Sequence, residues 1–408
     1  MERTGKRNYF SIVFFIATCI LSDFHAQISG CTDPHAINYN PAATLNDGSC
    51  AYPNTQYIPT PLASLPPAVS ESSGLFFACN ALWTFNDSGN SPYLFSLNTE
   101  ADQINRQVWV NHPNVDWETA TTGNGFLFLG DVGNNLGNRN NLVIWKIDLN
   151  QLCLHDTVSG EPIRIAYASQ TDFTPSEHHD FDAEALCFAS GTLHLFSKNR
   201  TNPFTYHYVI PADTGSYLLS VQDSLNVGGQ ITAADAVDDS LIVLIGYGGP
   251  LYSPFAYLLW DFNVGSSPFS GNKRRFSLGS VLTMGQQEAV VFSERGRGFI
   301  SNEAIADIGK PAGLHAFDLS PYLNPLLSSS PLQFVYGQNM QGSAVWLNLP
   351  ETGNWEIRWI DMKGTVLVTQ QDTVFELPHR AEPSLVPGYY VVEARHKRYR
   401  LRGVFLRE

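Results

Sequence analysis

Between residues 70 and 335 the sequence returns to one short opening at intervals of roughly 45 to 65 residues, and this repeat constrains the fold more than any other feature. The openings are Glu71-Ser72-Ser73-Gly74-Leu75, Asp116-Trp117-Glu118-Thr119-Ala120, Asp182-Ala183-Glu184-Ala185-Leu186, Ala233-Ala234-Asp235-Ala236-Val237 and Gln286-Gln287-Glu288-Ala289-Val290. A few residues after each comes a mostly apolar strand that ends on a polar group, at Asp87, Asp131, Lys198, Tyr247 and Glu303. A third strand follows in every unit, near residues 93–97, 142–149, 204–210, 256–262 and 313–319, and stretches such as 107–110 and 164–167 suit outer strands.

Units of four short antiparallel strands cannot cover their own faces. Set radially about one axis they can, and closing the circle protects their edges. The expected fold is therefore all-β: a β-propeller over residues 70–337, followed by a small C-terminal β-sandwich over 338–408. Five units are visible, and whether a sixth, degenerate one uses 57–70 or 331–337 stays open. A solenoid would show a shorter, stricter period and a clear cap, and the sequence has neither.

The chain begins with a basic stretch, Met1 to Arg7, then an apolar run from 9 to 21, then Ser22-Asp23-Phe24-His25-Ala26. That order marks residues 1–26 as a secretory signal, too short for a comfortable membrane span. No later run is long and apolar enough to cross, so no membrane span is expected once the signal is gone. The net charge of −14 excludes a nucleic-acid partner, which needs a basic footprint. A local exception is His396-Lys397-Arg398-Tyr399-Arg400-Leu401-Arg402, read as an edge strand blunted by charge, with a phosphate-binding patch as the alternative.

Five cysteines remain after the signal. Cys31 and Cys50 are expected to pair, and Cys79, Cys153 and Cys187 to be buried thiols beside strands, with an odd one left over. The first two bracket Gly30-Cys31-Thr32-Asp33-Pro34-His35-Ala36-Ile37-Asn38-Tyr39-Asn40-Pro41-Ala42-Ala43-Thr44-Leu45-Asn46-Asp47-Gly48-Ser49-Cys50. This run has no apolar periodicity, so a covalent clip must hold residues 27–52. It resembles the GCTDPxAxNYNPxATxxDGSC motif of large exported proteins that use type IX secretion. Its oxygen-bearing residues, Asp33, Asn38, Asn40, Asn46 and Asp47, suit calcium; the plainer reading is a disulfide-closed spacer. Residues 53–69, with Pro53, Pro59, Pro61, Pro66 and Pro67, read as a stiff linker.

At the other end, alternating strands near 344–349, 355–360 and 365–368 lead to Leu385-Val386-Pro387-Gly388-Tyr389-Tyr390-Val391-Val392 and a last basic-apolar strand. This order resembles the type A sorting domain of type IX secretion. The resemblance implies that the type IX machinery is a partner, and that the protein is secreted or attached to the outer-membrane surface.

The repeats themselves resemble exported propeller proteins that share SGL…LWTHNDSG, DWEDIA…GDIGDN and DAEAL…K segments. Here these stand as Ser73-Gly74-Leu75 with Asn86-Asp87-Ser88-Gly89, Asp116 to Ala120 with Gly130-Asp131-Val132-Gly133-Asn134-Asn135, and Asp182 to Leu186 with Lys198. Distant relatives by fold include calcium-bearing phytases and lactonases, which implies metal binding more than any one reaction.

Independently, Glu118, Glu184, Asp235 and Glu288 hold one position in four units, and Glu71, Asp116 and Asp182 lie two residues earlier, on the same strand face. They are expected to meet at one mouth of a central channel, with Asp87, Asp131, Lys198 and Glu303 beside them. Crowded carboxylates must take up protons, pair with Lys198 or hold a metal. Calcium is the cofactor expected from an all-oxygen set. The alternative is that each accepts a backbone N–H from the next unit and locks the circle. The segment Ser176-Glu177-His178-His179-Asp180 reads as a solvated loop before it reads as metal ligands. Two functions follow: a surface binding or scaffold module for an unidentified surface ligand, or a calcium-dependent hydrolase of the phytase, lactonase or esterase kind acting on a small-molecule substrate, with Glu118 or Glu184 as base.

Overall fold

The computed structural model describes residues 27–262, 265–323, 333–335, 345–349, 353–361, 365–374, 379–381, 385–386, 388–396 and 399–407; the signal segment 1–26 lies outside them. The described chain is all-β, in several sheets, none of which closes on itself. Its hairpins are set by local chemistry. The first three units turn at Cys79-Asn80, Asn124-Gly125 and Ser190-Gly191, all at φ between 49° and 83°. Two residues at positive φ give the turn whose twist matches that of the strands it joins.

Each repeat makes one sheet that starts from a leading strand. The first sheet runs from Ser72–Ala78 through Ala81–Asn86, Tyr93–Leu97 and Ile104–Val110 to Thr157–Val158. The second runs from Trp117–Gly123 through Phe126–Asp131, Val143–Asp148 and Glu161–Tyr167 to Gly215–Leu219. The third comprises Ala183–Ala189, Thr192–Ser197, Phe204–Pro211 and Asp223–Asn226. The fourth comprises Gln230–Val237, Leu241–Gly248, Ser253–Trp260, Asn272–Ser277 and Thr55–Gln56. The fifth comprises Gln286–Glu294, Arg297–Glu303, Gly313–Asp318 and Thr60–Ser64.

The apolar cores lie between sheets. Phe76, Trp83 and Phe85 of the first pack with Trp117 and Leu127 of the second; Phe128 and Ile144 pack with Leu186 and Tyr208 of the third. Cys187 and Phe196 pack with Ile231 and Phe255 of the fourth, and Val243 and Leu258 with Phe292 and Phe317 of the fifth. Val291 and Leu314 then pack with Leu75 and Phe95 of the first. The leading strands touch in the same order, and the fifth touches the first.

Two expectations need correction. Residues 53–69 are not only a linker, because Thr55–Gln56 pairs with the fourth sheet and Thr60–Ser64 with the fifth. Pro61 fits there because an edge strand tolerates a missing donor. The strand 60–64 thus completes the fifth sheet and founds no sixth. Cys79 and Cys153 are not buried thiols: they form a disulfide, as do Cys31 and Cys50. Both are exposed, Cys79 in a turn and Cys153 in the short helix Leu149–Leu154, capped by Asp148. Cys187 is a buried free thiol, as expected.

Beyond residue 332 the described segments form two antiparallel sheets. One is Gln333–Val335, Val345–Asn348 and His379–Ala381; the other is ordered Val366–Val374, Gly353–Asp361, Gly388–His396, Tyr399–Arg407. Leu347, Trp355, Ile357, Trp359 and Val392 share one apolar cluster. Of the basic run, His396 ends Gly388–His396 and residues 399–402 begin Tyr399–Arg407, an edge strand, the place where charge discourages further pairing; Lys397 and Arg398 lie outside the described residues.

Candidate functional site

One register irregularity organises the acidic residues. In every leading strand a residue near its start is skipped in the pairing with the second strand, Ser73, Glu118, Glu184, Thr232 and Glu288, and the fifth strand skips a further one, Ser293, near its end. Such bulges bend a strand and re-aim a side chain. Two residues before those near the strand starts stand Glu71, Asp116, Asp182, Gln230 and Gln286; on the second strands, the residue that follows the partner of the pair preceding each such bulge is Asp87, Val132, Lys198, Tyr247 and Glu303. The sequence alignment is correct in four units and slips by three residues in the fourth. There the Ala-Ala-Asp-Ala-Val run imitates Asp-Ala-Glu-Ala-Leu, but the bulge falls on Thr232, whose hydroxyl donates to Gln287 O (2.7 Å).

Asp235 therefore stands apart from the others. Its carboxylate accepts the Phe292 N–H (2.7 Å), and burial pushes it up to about 7. It lines a cavity of about 100 Å³ with Phe77, Thr121 and Val291, contributed by four leading strands.

At the bulge end, Lys198 Nζ lies 2.5 Å from both carboxylate oxygens of Glu184, and the two side chains are 9% and 4% exposed. Burial pulls the Lys198 ammonium down, but Glu184 and Glu288 outweigh it and hold it charged. Its Nζ also lies 5.5 Å from the centre of the Tyr247 ring. Glu118 accepts from Ser73 Oγ (3.2 Å) and Glu288 from Gln286 Nε2 (2.7 Å). Asp182 takes the Asn134 N–H from the second sheet (2.7 Å) and the Arg200 guanidinium (2.7 Å). Asp131 is paired with Arg139 (2.7 Å) and accepts the Asp116 N–H (3.1 Å). Glu71 accepts from Asn90.

These groups act on one another across four sheets. Burial first, then Glu184 and Asp116, raise Glu118 well above the carboxylate range. Burial, Glu288 and Asp87 raise Glu303, and burial, Glu71 and Asp116 bring Asp87 to about 6. Burial likewise raises Asp116, Glu184 and Glu288. Set against the nine carboxyl groups of Glu71, Asp87, Asp116, Glu118, Asp131, Asp182, Glu184, Glu288 and Glu303 are three cations, Arg139, Lys198 and Arg200.

Sequence reasoning missed Thr232, placed Tyr247 at a strand end without naming it a site residue, and missed Arg139 and Arg200. The hairpin register would have found the first two; the arginines come from loops without a repeat. The His179 ring stays local, with Nδ1 accepting the Phe181 N–H (3.1 Å) and Nε2 facing Asn135 O (3.1 Å).

No family model matches the chain. No curated protein matches it either. Among solved structures, hydrazine synthase of Kuenenia stuttgartiensis is 10% identical over 62% of this chain, with a TM-score of 0.33; the match spans 59% of that chain, less than two thirds of its length. A chain of the mitotic checkpoint complex is 12% identical over 66% of this chain and 98% of its own, at 0.33. A hypothetical protein from Leishmania major is 12% identical over 64% and 90%, at 0.37. Likenesses this distant carry no argument here.

Among the described residues, no three His, Cys, Asp or Glu side chains are grouped to hold an ion. The bulge carboxylates are instead held by Lys198, Ser73 and Gln286. Packing is tight enough to test. A Cβ on Gly133 would lie 2.5 Å from Asp116 Oδ2 and 2.8 Å from Glu118 Cγ. Gly133→Ala should cost about 1–3 kcal/mol in denaturant unfolding; an unchanged midpoint would mean that these carboxylates sit loosely.

Proposed function

We propose that this chain is an exported, surface-directed β-propeller that works by binding, with five blades and an acidic mouth that selects cationic ligands. The observation that carries the binding site is the imbalance of nine carboxyl groups against three cations at one end of the leading strands. A buried excess of negative charge is relieved by proton uptake or by a cation from outside. The blade reading rests on the cores between consecutive sheets and on the contact of the fifth with the first. Export rests on the signal pattern, the Cys31–Cys50 motif and the C-terminal sorting-domain pattern. The two disulfides suit an oxidising compartment, and the two sheets beyond residue 332 suit a small sandwich. Among the described residues no helix is long and apolar enough to cross a membrane.

The second reading is a calcium-dependent hydrolase, which would need an ion held at this mouth with Glu118 or Glu184 as base. Thermal melting with calcium, with a chelator and with spermidine, at matched ionic strength, tests the proposal. A ligand at about 100 times its dissociation constant adds about 2.7 kcal/mol, so the bound cation should raise the melting temperature by several degrees. No shift with either cation retires the binding site; calcium-dependent turnover of phosphate or lactone esters would establish the hydrolase.

A further inference from the structure

Residues 28–64 cross the outside of the fourth and fifth sheets as one continuous strap. Its first part is the disulfide loop, whose own core is little more than Cys31, Ala36, Cys50 and Tyr52. The tip of the loop is seated on the fourth sheet. Asn46 Nδ2 donates to Asp261 Oδ2 (2.9 Å) and Asn272 Oδ1 (3.0 Å), and Lys273 Nζ donates to Gly48 O (3.0 Å). Gly48 is at φ +73°, and a Cβ there would lie 2.4 Å from Ser270 O, so the fit leaves no room.

Next, Tyr52 packs on Trp260 at 5.4 Å, with the Arg274 guanidinium over both Tyr52 (5.2 Å) and Tyr322 (4.6 Å). Tyr57 then bridges two sheets: its N–H donates to Ser277 O of the fourth (2.8 Å), and its hydroxyl accepts the Asp318 N–H of the fifth (2.6 Å). Thr60–Ser64 ends the strap, paired with Gly313 to Ala316.

The oxygens that suggested calcium in this motif shape the loop itself. Asp33 accepts from Tyr52 Oη (2.7 Å) and the His35 N–H (2.9 Å), Asn38 spans Ser49 O and the Ala51 N–H (both 2.8 Å), and Asp47 accepts the Ser49 N–H (3.0 Å).

We propose that the disulfide-closed motif is the buckle of this strap: docked on the fourth sheet, it keeps Thr55–Gln56 and Thr60–Ser64 in place and so fastens the fourth sheet to the fifth. The strands need such help. One is two residues long, and the other is mostly exposed at an edge, so each buries little and is marginal alone. Anchoring the chain a few residues upstream turns their pairing into an intramolecular event at high effective concentration.

Hydrogen exchange on the full chain tests this with two variants: Cys31→Ser/Cys50→Ser, which opens the loop, and Asn46→Ala, which removes the Asn46 bonds to Asp261 and Asn272 while leaving Lys273 on Phe269 O and Gly271 O, and keeps the test alive if the first misfolds. Amides of 60–64 and 313–316 should exchange about tenfold faster in either variant that folds, while those of 127–131 stay as they were. Unchanged protection at 60–64, or an equal acceleration in every sheet, would overturn the proposal.

Discussion

Replacing Lys198 by Met should destabilise the protein by about 3–5 kcal/mol near pH 8, because it strips a buried carboxylate of its partner. Glu184 would lose the ammonium that both of its oxygens contact at 2.5 Å, and the acidic cluster would keep all its negative charge. Glu184→Ala should cost less, since Lys198 still faces Glu288 and Asp182. The order of the two variants thus separates a shared cluster from an isolated pair.

The pH dependence has a definite sign. Burial and like-charged neighbours raise Glu118 and Glu303, and burial raises Glu184, above the ordinary value of 4.5. A carboxyl whose folded pKa is raised contributes stability that is complete below its unfolded pKa and is lost as pH rises through the folded one. The Lys198→Met penalty should therefore be greatest near pH 8 and shrink toward about pH 5. Comparing variant with wild type at each pH cancels His207, which burial beside His194 pushes down to about 3 and which acts in the opposite sense. Denaturant unfolding at several pH values gives both readings. An equal penalty at all of them would mean that Lys198 holds the cluster by packing alone.

The second large effect is expected from Cys79→Ser/Cys153→Ser. That disulfide closes a loop with a sequence separation of 74, and the chain-entropy relation then gives about 4 kcal/mol. It ties the tip of the first hairpin to the helix Leu149–Leu154 that follows the third strand of the second sheet. Loss should lower the midpoint of equilibrium unfolding in the oxidised protein. A change below about 1 kcal/mol would show that the unfolded chain is already restrained there.

The repeat was legible because hairpins write themselves into sequence. Alternation, paired turn residues and polar strand ends located all five leading and second strands, and the third strand at Tyr93–Leu97 to the residue. Part of what was lost has a simple physical cause: a bulge shifts register by a residue without changing composition. Asp235, like Glu184, stands between two alanines and before an aliphatic residue, yet only the pairing of Ile231 with Gly246 and of Ala233 with Ile245 reveals that Thr232 holds the equivalent place. Partnerships between distant segments were equally invisible. Nothing in Thr60–Ser64 announces Gly313, and nothing in the turn at Cys79 announces a helix carrying Cys153.

The junction of Thr60–Ser64 with Gly313–Asp318 also bears on timing. It joins the start of the repeat region to its end, so it cannot form until nearly all of that region has been synthesised, and contacts of such high order are slow to make. Until the seam forms, Gly313–Asp318 is left with an open edge, so the late step is also the one that removes an exposed pairing surface.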